Sequence, residues 1–307
     1  MNTYQEKVLP LHTKKNSVTL MKVLKFGGTS VGTVEALRNV KYIVEHQEEP
    51  VVVVVSALGG LTDTLIKAAN LAAKNDISAY RIVQDITSRH SEIMNSLIQG
   101  EEIDDALNRV RALFYELSNA YTDISQSEEL TESDIEEVVS YGERLSSLII
   151  SQIIENATHF NSLEIIRSND HECDLEATNA AIAKTLGTFK GKVAVMGGFI
   201  SRDSKSRRIS NLGRGGSDYT AAIVASALNA SCLEIWTDVD GFMTADPKKD
   251  PNAKVIRQMT YAQAQEMCDN GAKVIYAPTI KPMAEKHIPV WVKNTFNRTA
   301  LGTLITD

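Results

Sequence analysis

The sequence predicts an α/β fold in which a mostly parallel sheet carries helices on both faces. Short apolar runs alternate with segments of helical spacing along most of the chain, which is the pattern of strand–helix–strand units. The five valines at 51–55, between Pro50 and Ser56, are typical of a strand buried on both faces of a parallel sheet. Glycine-rich polar turns follow several apolar runs, and ligands of such sheets bind at the carboxyl ends of strands.

The elements follow one another in a regular order. Val34, Leu37, Val40 and Val44 fall near one face, which predicts a helix at 34–45. Strands are predicted at Val23–Phe26, Val51–Val55, Glu164–Ile166, Lys192–Met196, Cys232–Trp236 and Pro289–Val292. Further helices are predicted at Thr178–Leu186, Tyr219–Leu228 and Tyr261–Asn270. Residues 61–148 have almost no strand signal, so several helices are expected there, with a polar break around 127–133.

Composition limits the classes of function. The 307 residues carry a formal net charge of −7 and no basic stripe, so nucleic acid is not an expected partner. Cys173, Cys232 and Cys268 form no C-x-x-C pair, which argues against a thiolate zinc site and favours a reducing cytoplasm. The apolar runs are too short to span a bilayer, and the first twenty residues lack an apolar signal core. Neither membrane insertion nor export is expected.

The run KFGGTS at 25–30 closes the first predicted strand and suits phosphate binding. Glycine lets the backbone approach an anion closely, and a helix that begins soon afterwards points its N–H groups at the same anion. Taken alone, the run is explained equally well by an ordinary strand-to-helix turn. Neither G-x-x-x-x-G-K-[ST] nor G-x-G-x-x-G occurs, which disfavours a P-loop enzyme and a typical Rossmann dehydrogenase.

Two downstream motifs offer complementary charges. GRGGSD at 213–218 precedes a predicted helix, and the planar fork of Arg214 matches a carboxylate or a phosphate. TDVDG at 237–241 follows a predicted strand, where Asp238 could face a ribose or a metal; a polar β-turn is the alternative. The histidines show no metal-ligand spacing and G-x-S-x-G is absent, so neither a histidine metal site nor serine hydrolysis is expected.

Taken in order, these motifs resemble those of the aspartate kinases, within the amino-acid kinase superfamily. The resemblance lies in KFGGTSV at 25–31, SALGGLT at 56–62, GERLSS at 142–147, LGRGGSD at 212–218, WTDVDG at 236–241 and GAKV at 271–274. It covers Lys22 to about Ile305. Six ordered motifs on one chain are far more specific than any one of them.

The resemblance implies a three-layer αβα sandwich, the amino-acid kinase fold. It also implies transfer of the γ-phosphoryl group of ATP to the side-chain carboxylate of L-aspartate, which gives 4-phospho-L-aspartate for lysine, threonine and methionine biosynthesis. Mg²⁺ would arrive on the nucleotide phosphates, without a separate protein metal site. The implied division is an N-terminal extension at 1–20, an amino-acid lobe at 21–229 and a nucleotide lobe at 230–307.

The resemblance also implies roles by position. Lys25 would neutralise charge on the transferring phosphoryl group, and Asp218 would orient Lys25. Arg214 would hold the substrate α-carboxylate and Glu143 its α-ammonium, while Thr62 and Ser217 would donate or accept hydrogen bonds. The residues implied for the nucleotide are Lys25, Gly27, Gly28, Ser30, Thr237, Asp238, Met243, Lys248 and Lys273. Met243 and Lys248 stand where many relatives carry a tyrosine and an arginine.

Aspartate kinases usually continue into ACT regulatory domains, and some into a homoserine dehydrogenase, whereas this sequence ends at Asp307. Inhibition by lysine or threonine is therefore not expected, and a homodimer would lack the ACT contacts. Glutamate 5-kinase, acetylglutamate kinase and uridylate kinase are the alternative enzymes, of which the pair Arg214 and Glu143 favours those that take a free α-amino acid. A nucleotide-binding module without turnover is the alternative of a different class.

Overall fold

The computed structural model describes residues 21–98, 100, 102–245, 250 and 252–307, so the predicted extension at 1–20 lies outside the described residues. The strands are β1 (Lys22–Phe26), β2 (Val51–Val55), β3 (Ala157–Phe160), β4 (Arg167–Asn169), β5 (Glu172–Cys173), β6 (Val193–Gly197), β7 (Ile200–Asp203), β8 (Ile209–Asn211), β9 (Leu233–Thr237), β10 (Gln258–Thr260), β11 (Val290–Asn294) and β12 (Thr303–Thr306). The α-helices are α1 (Val34–Glu45), α2 (Leu61–Ala72), α3 (Ser78–Leu97), α4 (Glu102–Ser127), α5 (Glu132–Ile153), α6 (Ser162–Ile165), α7 (Leu175–Lys184), α8 (Gly216–Leu228), α9 (Tyr261–Asp269) and α10 (Ile280–Glu285).

Eight strands form one large sheet in the order β10-β12-β11-β9-β1-β2-β6-β3. Neighbouring strands are parallel except for β11 and β12, which are antiparallel. A smaller sheet has the order β5-β4-β7-β8. Since β1 lies between β2 and β9, the carboxyl ends of these three strands meet at one edge of the large sheet, where ligands of open α/β folds bind.

Apolar side chains fill both faces of the large sheet. On β2, Val51, Val53 and Val55 point into a core shared with α1 to α5, while Val52 and Val54 point into a second core shared with α7 to α10. All five valines are fully buried, as the continuous apolar run predicts. The protein is therefore a three-layer αβα sandwich, and the predicted fold class is confirmed.

Most predicted elements occur within a few residues of their predicted bounds. Residues 34–45 form α1, and the segment 61–148 lies in α2 to α5, with the break between α4 and α5 at the predicted polar stretch. The strand predicted at Glu164–Ile166 is wrong, because these residues end α6 and lead into β4. The side chain of Asn161 accepts a hydrogen bond from Leu163 N at 3.1 Å, and this cap begins a helical turn where apolar residues alone suggest a strand.

The two predicted lobes are joined through the large sheet. Strands β1, β2, β3 and β6 come from residues 21–229, and β9 to β12 come from residues 230–307. Because β1 pairs directly with β9, the predicted boundary falls between two central strands, and the assignment of one ligand to each lobe stays a prediction. None of the described helices is long and apolar enough to cross a membrane.

Candidate active site

A cavity of about 230 Å³ lies at the carboxyl ends of β1 and β2 and at the start of α8. Its lining is formed by Lys25, Ser56, Thr62, Glu143, Phe199, Gly213, Arg214, Gly215, Gly216, Ser217 and Asp218. Six of these residues are the ones predicted for catalysis and substrate binding, and they come from four separate parts of the sequence. The fold therefore brings the predicted catalytic and substrate-binding residues together in one site.

Lys25 and Asp218 form an ion pair at the inner side of this cavity. The distance from Lys25 Nζ to Asp218 Oδ1 is 2.7 Å, and the two side chains are 11% and 13% exposed. The second carboxylate oxygen, Asp218 Oδ2, accepts a hydrogen bond from Tyr276 N at 3.0 Å. Because both oxygens of Asp218 are engaged, the carboxylate is fixed, and it holds the ammonium group of Lys25 at the end of β1.

The glycines of the GRGG motif shape the start of α8. Gly213 and Gly215 have φ angles of 69° and 74°, in the left-handed region that favours glycine. A Cβ atom on Gly215 would lie 2.2 Å from the ring of Tyr276, so the aromatic ring packs directly on the bare backbone. The turn leads into a thirteen-residue helix whose amino end faces the cavity, where the helix dipole favours a negatively charged ligand.

Glu143 lies on α5 and is only 4% exposed. Its helix comes close to the loop after β2 because Gly142 has no side chain: a Cβ atom there would lie 2.7 Å from Ala57 Cβ. Glu143 Oε1 accepts a hydrogen bond from Ala57 N at 3.0 Å, whereas the buried Oε2 has no partner among the described residues. Burial raises the pKa of Glu143 to about 8, although the Ala57 N–H and the charge of Lys25 act in the opposite direction.

A further part of the cavity wall is formed by Arg214, Ser217 and Thr62. The Arg214 side chain is exposed at the mouth, on the loop before α8. Ser217 lies in the first turn of α8 and is 8% exposed, and Thr62 lies in the first turn of α2. The cavity thus combines two cationic side chains, the Asp218 carboxylate that is paired with Lys25, the buried Glu143 carboxyl group with one oxygen unpartnered among the described residues, and three hydroxyl groups. This set suits a small ligand that carries charges of both signs.

The backbone of the KFGG turn lies beside the ion pair. Gly27 N donates to Trp236 O at 3.2 Å, and a Cβ atom on Gly27 would lie 3.5 Å from Lys25 Nζ. A Cβ atom on Gly28 would lie 3.0 Å from Ala57 O, on the neighbouring loop. Glycine at 28 is therefore explained by close packing of two loops, and this reason is independent of any contact to phosphate.

The remaining nucleotide candidates lie outside the cavity lining. Ser30 is fully buried, and its Oγ lies 2.7 Å from Thr295 Oγ1 and 3.3 Å from Trp236 O, so its side chain ties two loops together. Thr237 ends β9, with its Oγ1 donating to Asp238 Oδ1 at 3.3 Å, and Asp238 is exposed. Thr237 and Asp238 lie next to Gly27, at the edge of the sheet where β1 and β9 end.

Two further nucleotide candidates lie in the loops after β9 and α9. Met243 is half-buried and forms an isolated antiparallel bridge with Val255, and Lys273 is exposed. Lys248 lies outside the described residues. The nucleotide contacts predicted for these residues and for Gly27, Gly28, Ser30, Thr237 and Asp238 stay predictions.

Sequence reasoning missed one wall of the cavity. Phe199 lines it with a φ angle of 64°, which is uncommon for a residue with a side chain. The preceding Gly198 packs so closely on α8 that a Cβ atom would lie 2.7 Å from Ser217 Cα. The sequence does contain a signal for this wall. Gly197 and Gly198 come at the end of the apolar strand β6, just as another pair of glycines follows β1. Tyr276, which covers Gly215, has no comparable sequence signal.

Comparison with known proteins supports this fold. A sequence model described as "Amino acid kinase family" matches residues 21–294. The chain belongs to the amino acid kinase family. It is 34% identical over 298 residues to the lysine-sensitive aspartokinase 3 of Escherichia coli K12, covering 93% of this chain and 64% of that protein. It is 32% identical over 305 residues to a bifunctional aspartokinase/homoserine dehydrogenase of Buchnera aphidicola, covering 94% of this chain and 36% of that protein.

Among solved structures, the chain is similar to E. coli aspartokinase III in complex with aspartate and ADP, in its R-state. The TM-score is 0.84 at 32% sequence identity, and the match covers 94% of this chain and 64% of that chain. The sequence thus spans about a third to two thirds of the length of these relatives. These findings establish the family of this chain.

Proposed function

We propose that this protein transfers the γ-phosphoryl group of ATP to the side-chain carboxylate of L-aspartate and forms 4-phospho-L-aspartate. One observation carries the proposal: the unpartnered Oε2 of Glu143 is buried in the wall of a cavity that also contains Lys25 and Arg214. A buried carboxyl oxygen without a partner is costly unless a ligand supplies one. An α-amino acid with a second carboxylate offers its ammonium group to Glu143. Its two carboxylates supply the negative charges that match Lys25 and Arg214.

The side chains of the cavity orient the acceptor. Glu143 receives the α-ammonium group, because it lines the cavity and its buried Oε2 has no partner among the described residues. Arg214 takes the α-carboxylate as a planar fork, and Ser217 and Thr62 hydrogen-bond the rest of the substrate. With the α-carbon held in this way, the side-chain carboxylate lies towards Lys25. The similarity to aspartokinases and to E. coli aspartokinase III in complex with aspartate supports aspartate as the acceptor.

Phosphoryl transfer needs alignment and charge neutralisation more than a strong base. The acceptor is a carboxylate with an ordinary pKa of about 3.9, so it is ionised at neutral pH without help from a general base. Lys25 neutralises negative charge on the moving phosphoryl group, and Asp218 holds Lys25 in place through their 2.7 Å ion pair. The attacking oxygen, the phosphorus and the leaving oxygen of ADP lie in line, and no covalent enzyme intermediate is required.

ATP would bind where β1 and β9 end, beside Gly27, Thr237 and Asp238, with Gly28, Ser30, Met243 and Lys273 in the surrounding loops. Lys248, the remaining nucleotide candidate, lies outside the described residues. The ADP complex of E. coli aspartokinase III supports use of a nucleotide. Mg²⁺ would accompany the phosphates, because this cation takes phosphate oxygens and waters with few protein ligands. Among the described residues no group of three histidine, cysteine, aspartate or glutamate side chains is arranged for a metal ion.

A panel of acceptors tests the proposal. ADP release from MgATP would be followed with aspartate, glutamate, N-acetylglutamate and UMP at equal concentrations. We expect turnover with aspartate and at least tenfold less with glutamate, since one extra methylene in a fitted pocket typically changes the rate ten- to 200-fold. Preference for glutamate would assign the protein to glutamate 5-kinases. ATP binding without turnover of any acceptor would favour the non-catalytic module.

The wider biological setting forms part of the same proposal. The product would enter lysine, threonine and methionine biosynthesis. A relative that is named as lysine-sensitive supports the link to lysine. The free cysteines Cys173, Cys232 and Cys268 support a cytoplasmic location, because a reducing compartment keeps such thiols unpaired.

A homodimer is proposed as the assembled form, and sedimentation of the purified chain tests it.

A further inference from the structure

Two loops meet back to back beneath the active-site cavity. The first loop connects β1 to α1 at residues 27–33, and the second connects β2 to α2 at residues 56–60. Gly59 N donates to Gly28 O at 3.0 Å. A Cβ atom on Gly59 would lie 3.2 Å from Gly28 O, and one on Gly32 would lie 3.4 Å from Gly59 N. The loops are therefore in direct backbone contact, and glycine makes that contact possible from both sides.

Arg89, on α3, bridges these loops. Its Nη2 donates to Gly32 O at 2.9 Å, and both Nη1 and Nη2 lie 3.3 Å from Gly59 O. The side chain is half-buried, and its hydrogen bonds among the described residues go to backbone carbonyls. A guanidinium group is the side chain suited to this task, because its donors are fixed in a plane and reach two acceptors at once.

Each loop carries a different half of the reaction site. The first loop holds Gly27 beside Lys25 and the end of β9, where the nucleotide would bind. The second loop holds Ala57, whose N–H fixes Glu143, and it leads into Thr62 on the cavity wall. The relative position of the loops thus sets the distance between the phosphoryl donor and the acceptor carboxylate.

We propose that Arg89 is a positioning residue that aligns the donor and acceptor halves of the site by joining their two loops. The proposal rests on the proposed kinase function. Arg89 itself does not line the cavity, so it would act only through the loops. Loss of the bridge should leave each ligand's own contacts intact and lower the rate of transfer, because displacement of reacting groups by about 1 Å can reduce the rate about 10²-fold.

The steady-state test compares Arg89→Met, Arg89→Lys and the wild-type chain. For Arg89→Met we expect kcat to fall about 10- to 100-fold while KM for aspartate and for MgATP changes less than about threefold. Arg89→Lys can reach only one carbonyl at a time, so an intermediate kcat is expected. Arg81→Met is the matched control, since it removes an exposed arginine from the same helix, and we expect it to keep wild-type kcat.

Two further measurements separate positioning from a folding defect. Guanidinium ion at non-denaturing millimolar concentrations should partly restore kcat in Arg89→Ala and leave the wild type unchanged. Amide hydrogen exchange should become faster at Gly59 and along residues 27–33 in Arg89→Met, with exchange in the β2 core unchanged. Exchange is measured without substrate, so it reports on the bridge even if the chain phosphorylates another acceptor.

The outcomes are distinguishable. Wild-type protein without aspartate kinase activity would overturn the proposed function, and the exchange data would still decide whether Arg89 joins the loops. An active wild type with unchanged kcat in Arg89→Met would overturn the positioning role. A general loss of protection in Arg89→Met, without rescue by guanidinium and with Arg89→Lys equally impaired, would show that Arg89 only stabilises the fold.

Discussion

Aspartate affinity should increase with pH through the titration of Glu143. Burial raises the pKa of this carboxyl group to about 8 in the empty site, so at pH 7 the protonated form predominates. Only the ionised form attracts the substrate ammonium group, and bound ammonium stabilises the negative charge. Binding therefore requires loss of a proton from Glu143, and it becomes easier as the pH rises towards and above 8.

The size of the change in aspartate affinity follows from the fraction of empty sites in which Glu143 is ionised. With a pKa of about 8, roughly 9% of the empty sites are ionised at pH 7 and roughly 76% at pH 8.5, so the apparent Kd for aspartate should fall about eightfold. For the same reason about 0.9 proton should leave the protein for each aspartate bound at pH 7, and about 0.2 at pH 8.5.

Isothermal titration with aspartate in buffers of different ionisation enthalpy measures both quantities. Glu143→Gln is the control, because glutamine can still accept the hydrogen bond from Ala57 N but cannot ionise. We expect this variant to bind aspartate more weakly, with a pH-independent Kd and no proton release. A flat Kd for the wild type between pH 7 and 8.5, with no proton released, would refute the assignment of Glu143 to the ammonium group.

Three substitutions test the other roles in the site. Lys25→Ala should reduce kcat roughly 10²-fold or more with a smaller change in KM for aspartate, and near-normal kcat would remove Lys25 from catalysis. Arg214→Lys keeps the charge but loses the fork, so KM for aspartate should rise about tenfold, and an unchanged KM would contradict the carboxylate contact. Asn211→Ala removes the Oδ1 that accepts from Gly213 N at 2.9 Å, so KM for aspartate should rise several-fold while KM for MgATP stays constant. Ser210→Ala on the same strand lacks that contact and should have little effect; equal effects of both variants would contradict a role for Asn211 in holding the loop.

Regular strands and helices were predictable from the sequence because burial leaves a direct pattern. The valine run of β2 lies between two helical layers and has apolar residues at every position, and α1 shows one apolar face. The smaller sheet was not predicted, since its strands are two to four residues long and carry several polar side chains. Too few positions alternate there to distinguish a strand from a loop.

The site was predictable where charged residues accompany glycines. Lys25, Glu143, Arg214 and Asp218 were identified from ordered motifs, and the fold brings them into one cavity. The physical state of these groups was not predictable: the raised pKa of Glu143 depends on burial by elements far apart in sequence. The two hydrogen bonds of the buried Ser30 Oγ likewise depend on Thr295 and on the carbonyl of Trp236, which no local pattern reveals.

The most direct measurement of the central claim is ATP-dependent trapping of an acyl phosphate with hydroxylamine. The purified chain would be incubated with MgATP, L-aspartate and hydroxylamine, and the hydroxamate identified by mass. We expect aspartate β-hydroxamate in amounts equal to the ADP formed, none without ATP, and a rate of hydroxamate formation roughly 10²-fold lower with Lys25→Ala in place of the wild type. ADP formation without hydroxamate, or a hydroxamate formed from glutamate and not from aspartate, would contradict it.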